Sequence, residues 1–266
     1  MELAGRVAVV TGAASGMGRA TAQRLVAEGM QVCALDIDGD AVQAVAEPIG
    51  ALGLACDVSD AAQVDAAFAE CVDRFGSVDL AHLNAGVGVR WSGDIAELDV
   101  AQYHRSVGVN LDGVVYGARA AVRAMRGRPD PTIGGAIVAT SSIAGIEPFH
   151  PDAIYTIGKH GVIGLIRAIA PNLANEDIAA HAICPGTTET GMLSEGVKEF
   201  FRKSGVAMQP PEEIANAVVM AATAPLEATG SCWICNPREA PLAFEFNHVE
   251  GPDSAFNVPV GAKAER

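Results

Sequence analysis

The chain reads as an α/β protein of the doubly wound kind, with a parallel sheet of about seven strands and helices on both faces. Three observations predict this. Short apolar, β-branched runs alternate with helix-periodic segments over about 235 of the 266 residues. A glycine-rich segment, TGAASGMG at 11–18, stands between the first such run and the first helix. Half the residues are apolar but only 5 % are aromatic, with Ala, Gly and Val plentiful, which suits close helix-on-sheet packing better than an aromatic-cored sandwich.

Taken in order, Arg6 to Thr11 is a first strand, and a helix follows to about Glu28, ended by Gly29. Gln31 to Leu35 is a second strand, closed by Asp36. A helix from about Asp40 to Ile49 precedes a strand at Leu52 to Cys56. Ser59 or Asp60 then caps a helix to Phe75. Val78 to Leu83 is a fourth strand and ends in Asn84-Ala85-Gly86. Residues 87–97 form a loop in which Trp91 reads as a packing anchor. A long helix is expected from about Val100 to Arg126, with Asn110, a poor mid-helix residue, in its middle. Strand five covers about Gly135 to Thr140. A helix carries Tyr155 and Lys159 and continues to about Asn175, with Pro171 a candidate kink. Ile178 to Cys184 is strand six. Residues 191–209 read as a mobile helical flap, or as an ordinary amphipathic surface helix. Pro211 to Ala224 is the last helix and Ser231 to Cys235 the last strand. Residues 1–236 thus form one domain. Residues 237–266 form an irregular extension with Phe244, Phe246 and Phe256, expected to pack on its own subunit or a neighbour.

The glycine segment has the strand before it, the helix after it and an acid 18 residues beyond Gly18, the context required for dinucleotide binding. Gly12 permits the tight turn, Gly16 lets the backbone approach a pyrophosphate, and Gly18 lets helix and strand pack closely. The helix N-terminus offers free N–H groups to phosphates. Asp36 would accept hydrogen bonds from the adenosine ribose and repel a 2′-phosphate. No Arg or Lys precedes Arg19 in the loop, and Ile37-Asp38-Gly39-Asp40 adds none, so the segment favours NAD over NADP.

The stretch at 141–159, SSIAGIEPFHPDAIYTIGK, gathers a hydroxyl, a phenol and an amine at a strand end. Tyr155 and Lys159 are four apart and share a helix face. Such groups are the parts of a proton-transfer site. Glu147, Phe149 and His150 between them would form one wall of the substrate site, although His150 also reads as an ordinary loop histidine.

From residue 5 to about 235 the chain resembles the short-chain dehydrogenase/reductase family, in its compact branch. The resemblance rests on TGAASGMG, Asp36, Asp57-Val58, Asn84-Ala85-Gly86, Asn110, Ser142, the Tyr155–Lys159 pair and Pro185-Gly186. It implies that Tyr155 is the general acid/base, that Lys159 lowers the tyrosine pKa and binds the nicotinamide ribose, that Ser142 holds the substrate oxygen, and that Asn110 fixes a water in a proton relay to Lys159. It implies a cofactor site of Gly12, Ser15, Gly16, Met17, Gly18, Asp36, Ile37, Asp57, Val58, Asn84, Ala85, Gly86, Tyr155, Lys159, Pro185, Gly186, Thr188 and Thr190. Asp57 and Val58 flank the adenine, and Thr188 and Thr190 lie near the carboxamide. The activity implied is NAD-dependent interconversion of a secondary alcohol and its ketone. The chain departs from the family pattern at Leu83, at His181-Ala182, and in a C-terminus that lacks the usual Val-Asp-Gly-Gly ending.

The net charge of −14 disfavours nucleic acid and anionic lipid as partners. No charged, apolar leader and no run of eighteen apolar residues occurs, so a cytoplasmic protein with no membrane partner is expected. The six cysteines are scattered, four of them in apolar runs or helix-like segments, as buried free thiols are. Cys232-x-x-Cys235 lies in a strand rather than at a helix start and reads as structural. The six histidines show no metal-ligand spacing. The apolar helix after Lys159 asks for burial on more than one side and suggests a homo-oligomer, a dimer or a tetramer. Met192, Leu193, Phe200, Phe201 and Phe149 suggest an apolar substrate. Two competing readings are a lyase or epimerase using NAD internally, disfavoured by chain length and glycine spacing, and a non-catalytic NAD sensor, disfavoured because all four catalytic positions are present.

Overall fold

The computed structural model describes residues 1–88, 93–128, 130 and 133–246. Trp91 and Phe256 lie outside them. The elements are β1 (Val7–Thr11), α1 (Gly16–Ala27), β2 (Gln31–Asp36), α2 (Gly39–Ala46), β3 (Leu52–Ala55), α3 (Ala61–Phe75), β4 (Leu80–Leu83), α4 (Val100–Val107), α5 (Gly113–Arg126), β5 (Gly135–Thr140), α6 (Ala153–Ala174), β6 (Ile178–Pro185), α7 (Glu195–Lys203), α8 (Pro211–Thr223), β7 (Cys232–Cys235) and β8 (Leu242–Ala243).

The strands form one sheet in the order β3-β2-β1-β4-β5-β6-β7-β8, parallel throughout except for the antiparallel β7–β8 pair. β1, β4, β5 and β6 are buried at every residue. That is why they appear as unbroken apolar runs rather than as alternating ones. Helices cover both faces. α3, α5 and α6 pack with Val9, Leu35, Ile137 and Ala139 on one side. α1, α2 and α8 pack with Val10, Ala34, Val138 and Ile183 on the other. The fold is the expected doubly wound one.

Local chemistry sets the boundaries. Asp60 caps α3 by accepting from the amides of Ala62 and Gln63, and Gly76 ends it with φ 86°. Asp152 caps α6 through the Tyr155 amide at 2.8 Å, which fixes where the helix carrying Tyr155 begins. Pro171 is accommodated inside α6 without ending it.

Two features differ from the expectation. The long helix from Val100 to Arg126 is interrupted by a π-helical turn at Gly108–Asp112, and Asn110 sits in it. An inserted π turn is how a helix re-aims side chains without ending, and such turns concentrate at functional sites. The sheet has an eighth strand because the extension doubles back. The Phe244 amide donates to the Cys232 carbonyl at 2.8 Å, Phe244 and Phe246 pack edge to face at 4.7 Å, and the Arg167 guanidinium of α6 lies 3.7 Å from the Phe246 ring centre. The described part of the extension therefore packs on its own chain. In the segment 191–209, α7 has no fully buried residue.

At the amino ends of β1 and β4 lies a buried ionic cluster. The Asp79 carboxylate accepts from the Val7 amide at 2.9 Å, from the Arg128 guanidinium at 2.8 Å and from Ser77 Oγ at 3.1 Å, with Arg6 at 3.5 Å. The Asp79 and Arg128 side chains are each only 4 % exposed. Removing one partner strands the other's charge in the interior. Asp79→Ala should lower the unfolding free energy by roughly 3–5 kcal/mol, read by urea denaturation. A loss below about 1 kcal/mol, the size of an exposed pair, would show that the cluster is not a structural tie.

Candidate active site

The sheet order reverses between β1 and β4. β1 continues through α1 toward β2 on one side, and β4 leads toward β5 on the other, so a crevice opens at their carboxyl ends. A cleft of about 870 Å³ lies there. Gly12 has φ 66°, and a Cβ on it would come within 2.9 Å of Ala85 Cα. Gly18 is needed for a different reason: a Cβ there would sit 2.1 Å from the Gly12 carbonyl oxygen, so it faces the turn and not the cleft. Ser15 is the N-cap of α1 but makes no side-chain cap. The first amides of α1 therefore lack a side-chain acceptor and suit a pyrophosphate.

Asp36 lines the cleft, its carboxylate held by the amides of Ala14 at 3.0 Å and Asp38 at 3.2 Å. Ile37 stands beside it, 71 % exposed. Asp57 is turned by the Ser59 amide and hydroxyl at 2.9 and 2.7 Å, and Val58 backs onto Gly113. Met17, Asn84, Ala85, Gly86 and Thr190 also line the cleft. This set fits a dinucleotide: a carboxylate for a ribose diol, a bare helix end for phosphates, and a groove of matching size.

Beyond Gly86 lies the cluster from 141–159. Lys159 Nζ is buried, donates to the Thr140 main-chain oxygen at 2.8 Å, and lies 5.5 Å from the centre of the Tyr155 ring. Tyr155 and Ser142 are hydrogen-bonded, and Ser142 Oγ also accepts from the Ala144 amide at 3.1 Å. Asn110 is fully buried. Its amide oxygen accepts from the Val87 N–H at 2.9 Å and its amide nitrogen donates to the Val87 carbonyl at 2.8 Å. The side chain is thus committed to clamping the loop after β4.

The electrostatics differ from the expectation that Lys159 lowers the tyrosine pKa. Burial raises the Tyr155 pKa above its ordinary value, the Ser142 hydrogen bond opposes this, and Asp152 adds to the rise. Burial also depresses the Lys159 ammonium, to about 8. Desolvation outweighs the charge because Nζ is engaged by Thr140 rather than by the phenol.

Other expected residues are placed differently. Thr188 is buried, donates to the Gly186 carbonyl at 3.1 Å and accepts from Gln209 at 3.3 Å, so its side chain is turned inward. The Gly186 amide donates to Cys235, and neither Pro185 nor Gly186 lines the cleft. Glu147 faces a second cavity of about 390 Å³ with Arg167, Phe244 and Phe246, away from the wall it was expected to form. All six thiols are free and buried; Cys232 and Cys235 face opposite sides of the sheet, as residues three apart in a strand must. Among the described residues no group of acids, histidines and cysteines could hold a metal, and no helix is long and apolar enough to cross a membrane. Val87, Gly88, His104, Arg105 and Val109 line the cleft without having been singled out, and Met192, expected against the substrate, lines it as well. His104 and Arg105 lie in the last turn of α4, and no local motif in the sequence marks them as part of this cleft.

Residues 6–199 match the family described as short chain dehydrogenase. The chain belongs to the short-chain dehydrogenase family. It is 36 % identical over 231 residues to a 3beta-hydroxysteroid dehydrogenase of Mediterraneibacter gnavus, covering 84 % of this chain and 82 % of that one. It is 35 % identical over 208 residues to the human 15-hydroxyprostaglandin dehydrogenase [NAD(+)], covering 75 % and 74 %. The solved structure of a 3-ketoacyl-(acyl-carrier-protein) reductase from Brucella melitensis, complexed with NADH, superposes with a TM-score of 0.82 at 29 % identity, over 89 % of this chain and 98 % of that one. As a short-chain dehydrogenase, the protein is an oxidoreductase.

Proposed function

We propose that this dehydrogenase interconverts a secondary alcohol and its ketone with NAD, using Tyr155 as general acid/base. The observation that carries this reading is the cluster in which Tyr155 meets Ser142 with the Lys159 ammonium 5.5 Å away, beside a cleft ending in Asp36. NAD, held by Asp36, the glycine turn and the open end of α1, supplies the hydride acceptor. The chain's own residues handle the proton. Ser142 holds the substrate oxygen. Tyr155 takes the hydroxyl proton during oxidation and returns it during reduction. Ser142 is the neighbour that favours the phenolate, and Lys159, through its contact with the Thr140 carbonyl, is fixed for the nicotinamide ribose. Because the Asn110 side chain is spent on Val87, a water relay to Lys159 would use its main-chain carbonyl.

An apolar substrate is supported by Met192, about half exposed on the cleft lining, by Phe149, about half exposed in the segment between Ser142 and Tyr155, and by relatives named for hydroxysteroid and hydroxyprostaglandin. A homo-oligomer is supported by Ile157, half exposed on α6.

Tyr155→Phe should lower kcat by roughly 10²–10⁴-fold while NAD affinity, read by calorimetry, stays within a few-fold. The pH sign follows from the raised phenol pKa: oxidation needs the phenolate, so its rate should climb from neutral into alkaline pH while reduction does not. A retained kcat, or oxidation that falls with rising pH, would refute Tyr155 as the base. Asp36→Ala should cost NAD roughly ten- to a hundredfold in kcat/KM and cost NADP little. Unchanged NAD:NADP selectivity would remove the ribose role. Light scattering on the eluting protein should give a multiple of the 27.3 kDa chain mass, and a single-chain mass would end the oligomer proposal.

A further inference from the structure

One buried polar chain that the reaction does not use directly crosses the carboxyl edge of the sheet. It begins at His82 on β4, which is fully buried and pairs across the sheet with Val10 and Val138, both part of the core beneath α1 and α8. His82 Nε2 is 3.0 Å from Thr140 Oγ1. The Thr140 hydroxyl donates to Asn84 Oδ1 at 3.2 Å. A hydroxyl has one proton, so His82 Nε2 must be the donor in the first bond, and Nδ1 is left bare. Asn84 Nδ2 donates to the Thr11 main-chain oxygen at 3.0 Å, and Thr11 Oγ1 accepts from the amides of Asn84 and Ala85 at 2.8 and 3.0 Å. The run thus links β5, β4 and β1. Lys159 hangs from its Thr140 end, and Gly12 follows Thr11 at the other.

Histidine is a costly choice for this place. Its Nδ1 has no hydrogen-bond partner, and a buried acceptor without one destabilises a fold. Burial also keeps the ring neutral, its pKa held down at about 3, so it carries no charge that the site could use. What it supplies is one N–H aimed at Thr140. That bond fixes the hydroxyl rotor and polarises its donation to Asn84. An apolar residue would fill the core better and leave the rotor free.

We infer that His82 is a positioning residue for cofactor binding, orienting the Thr140 hydroxyl so that Asn84 holds the end of β4 against the glycine turn. The inference rests on the reading of the cleft as a dinucleotide site.

His82→Leu, His82→Gln and Thr140→Val separate the possibilities. His82→Leu should melt at the wild-type temperature or higher, yet bind NAD roughly fivefold more weakly, as for one lost hydrogen bond. Its amides at 84–88 should exchange hydrogen faster in the cofactor-free protein. His82→Gln places an N–H the same number of bonds from Cα and should restore both readouts. Thr140→Val, which deletes the hydroxyl at nearly constant volume, should reproduce the weaker NAD binding and the faster exchange at 84–88 but at a lower melting temperature, because it leaves the His82 N–H and Asn84 Oδ1 without their partner. A purely structural histidine would instead lower the melting temperature of both His82 variants without a difference between them in NAD affinity. Wild-type NAD affinity and wild-type exchange at 84–88 in either His82→Leu or Thr140→Val overturn the inference. If the unaltered protein does not bind NAD at all, the proposed function fails, and exchange at 84–88 still decides whether His82 holds this edge.

Discussion

The pairing of β1 with β4 is the constraint on which the rest depends. These strands are neighbours in the sheet but not in the chain, so no crossover helix bridges them and the crevice above their ends stays open. The strands are pinned to one another at both ends. Below, the Asp79 carboxylate holds the first amide of β1. Above, the Asn84 and Ala85 amides converge on the Thr11 hydroxyl. β5 then registers against β4, with Ala139 level with Leu83, which sets Thr140 and hence Lys159 next to Gly86, beside the crevice.

The same arrangement explains how much of the protein was legible in the sequence. Parallel buried strands declare themselves as apolar runs, and the turn at Gly12 admits few residues, so the sheet, the glycine loop and Asp36 could be read directly. The Tyr155–Lys159 pair was legible because a four-residue spacing on a helix is a geometric statement in itself. The π turn was not. Gly108, Val109, Asn110, Leu111 and Asp112 keep a helical pattern, and the extra residue per turn is imposed by contacts from elsewhere: Asn110 reaching Val87, and Gly158 of α6 pressing within 3.2 Å of the Asn110 Cβ if it bore its own. Arg128 and Asp79 were equally silent, since an ion pair 49 residues apart leaves no periodicity. Thr188 is a different case. It matches a motif, but its partner Gln209 lies 21 residues on and draws the hydroxyl inward.

The titration of Tyr155 and Lys159 is governed by desolvation. A sequence puts a cation near a phenol and invites the conclusion that the phenol is acidified. The fold buries both groups and engages the ammonium with a carbonyl, so each is pushed toward its neutral form. Opposite charges help one another in proportion to how little water and backbone compete for them. Here the backbone competes, and the Ser142 hydroxyl is the neighbour that lowers the Tyr155 pKa.

The six buried thiols give the molecule a property of a different sort. Cys71 is on the buried side of α3 with Cys33 and Cys56 in the core beneath it, Cys184 and Cys232 lie with α6, and Cys235 on the opposite face of the sheet. None of the six thiols is presented to solvent in the folded chain. An alkylating dye added to this protein would therefore report on opening events and not on surface chemistry. Because the sulfurs sit under both halves of the sheet and on both faces, the order in which they are labelled would show which helices lift away first.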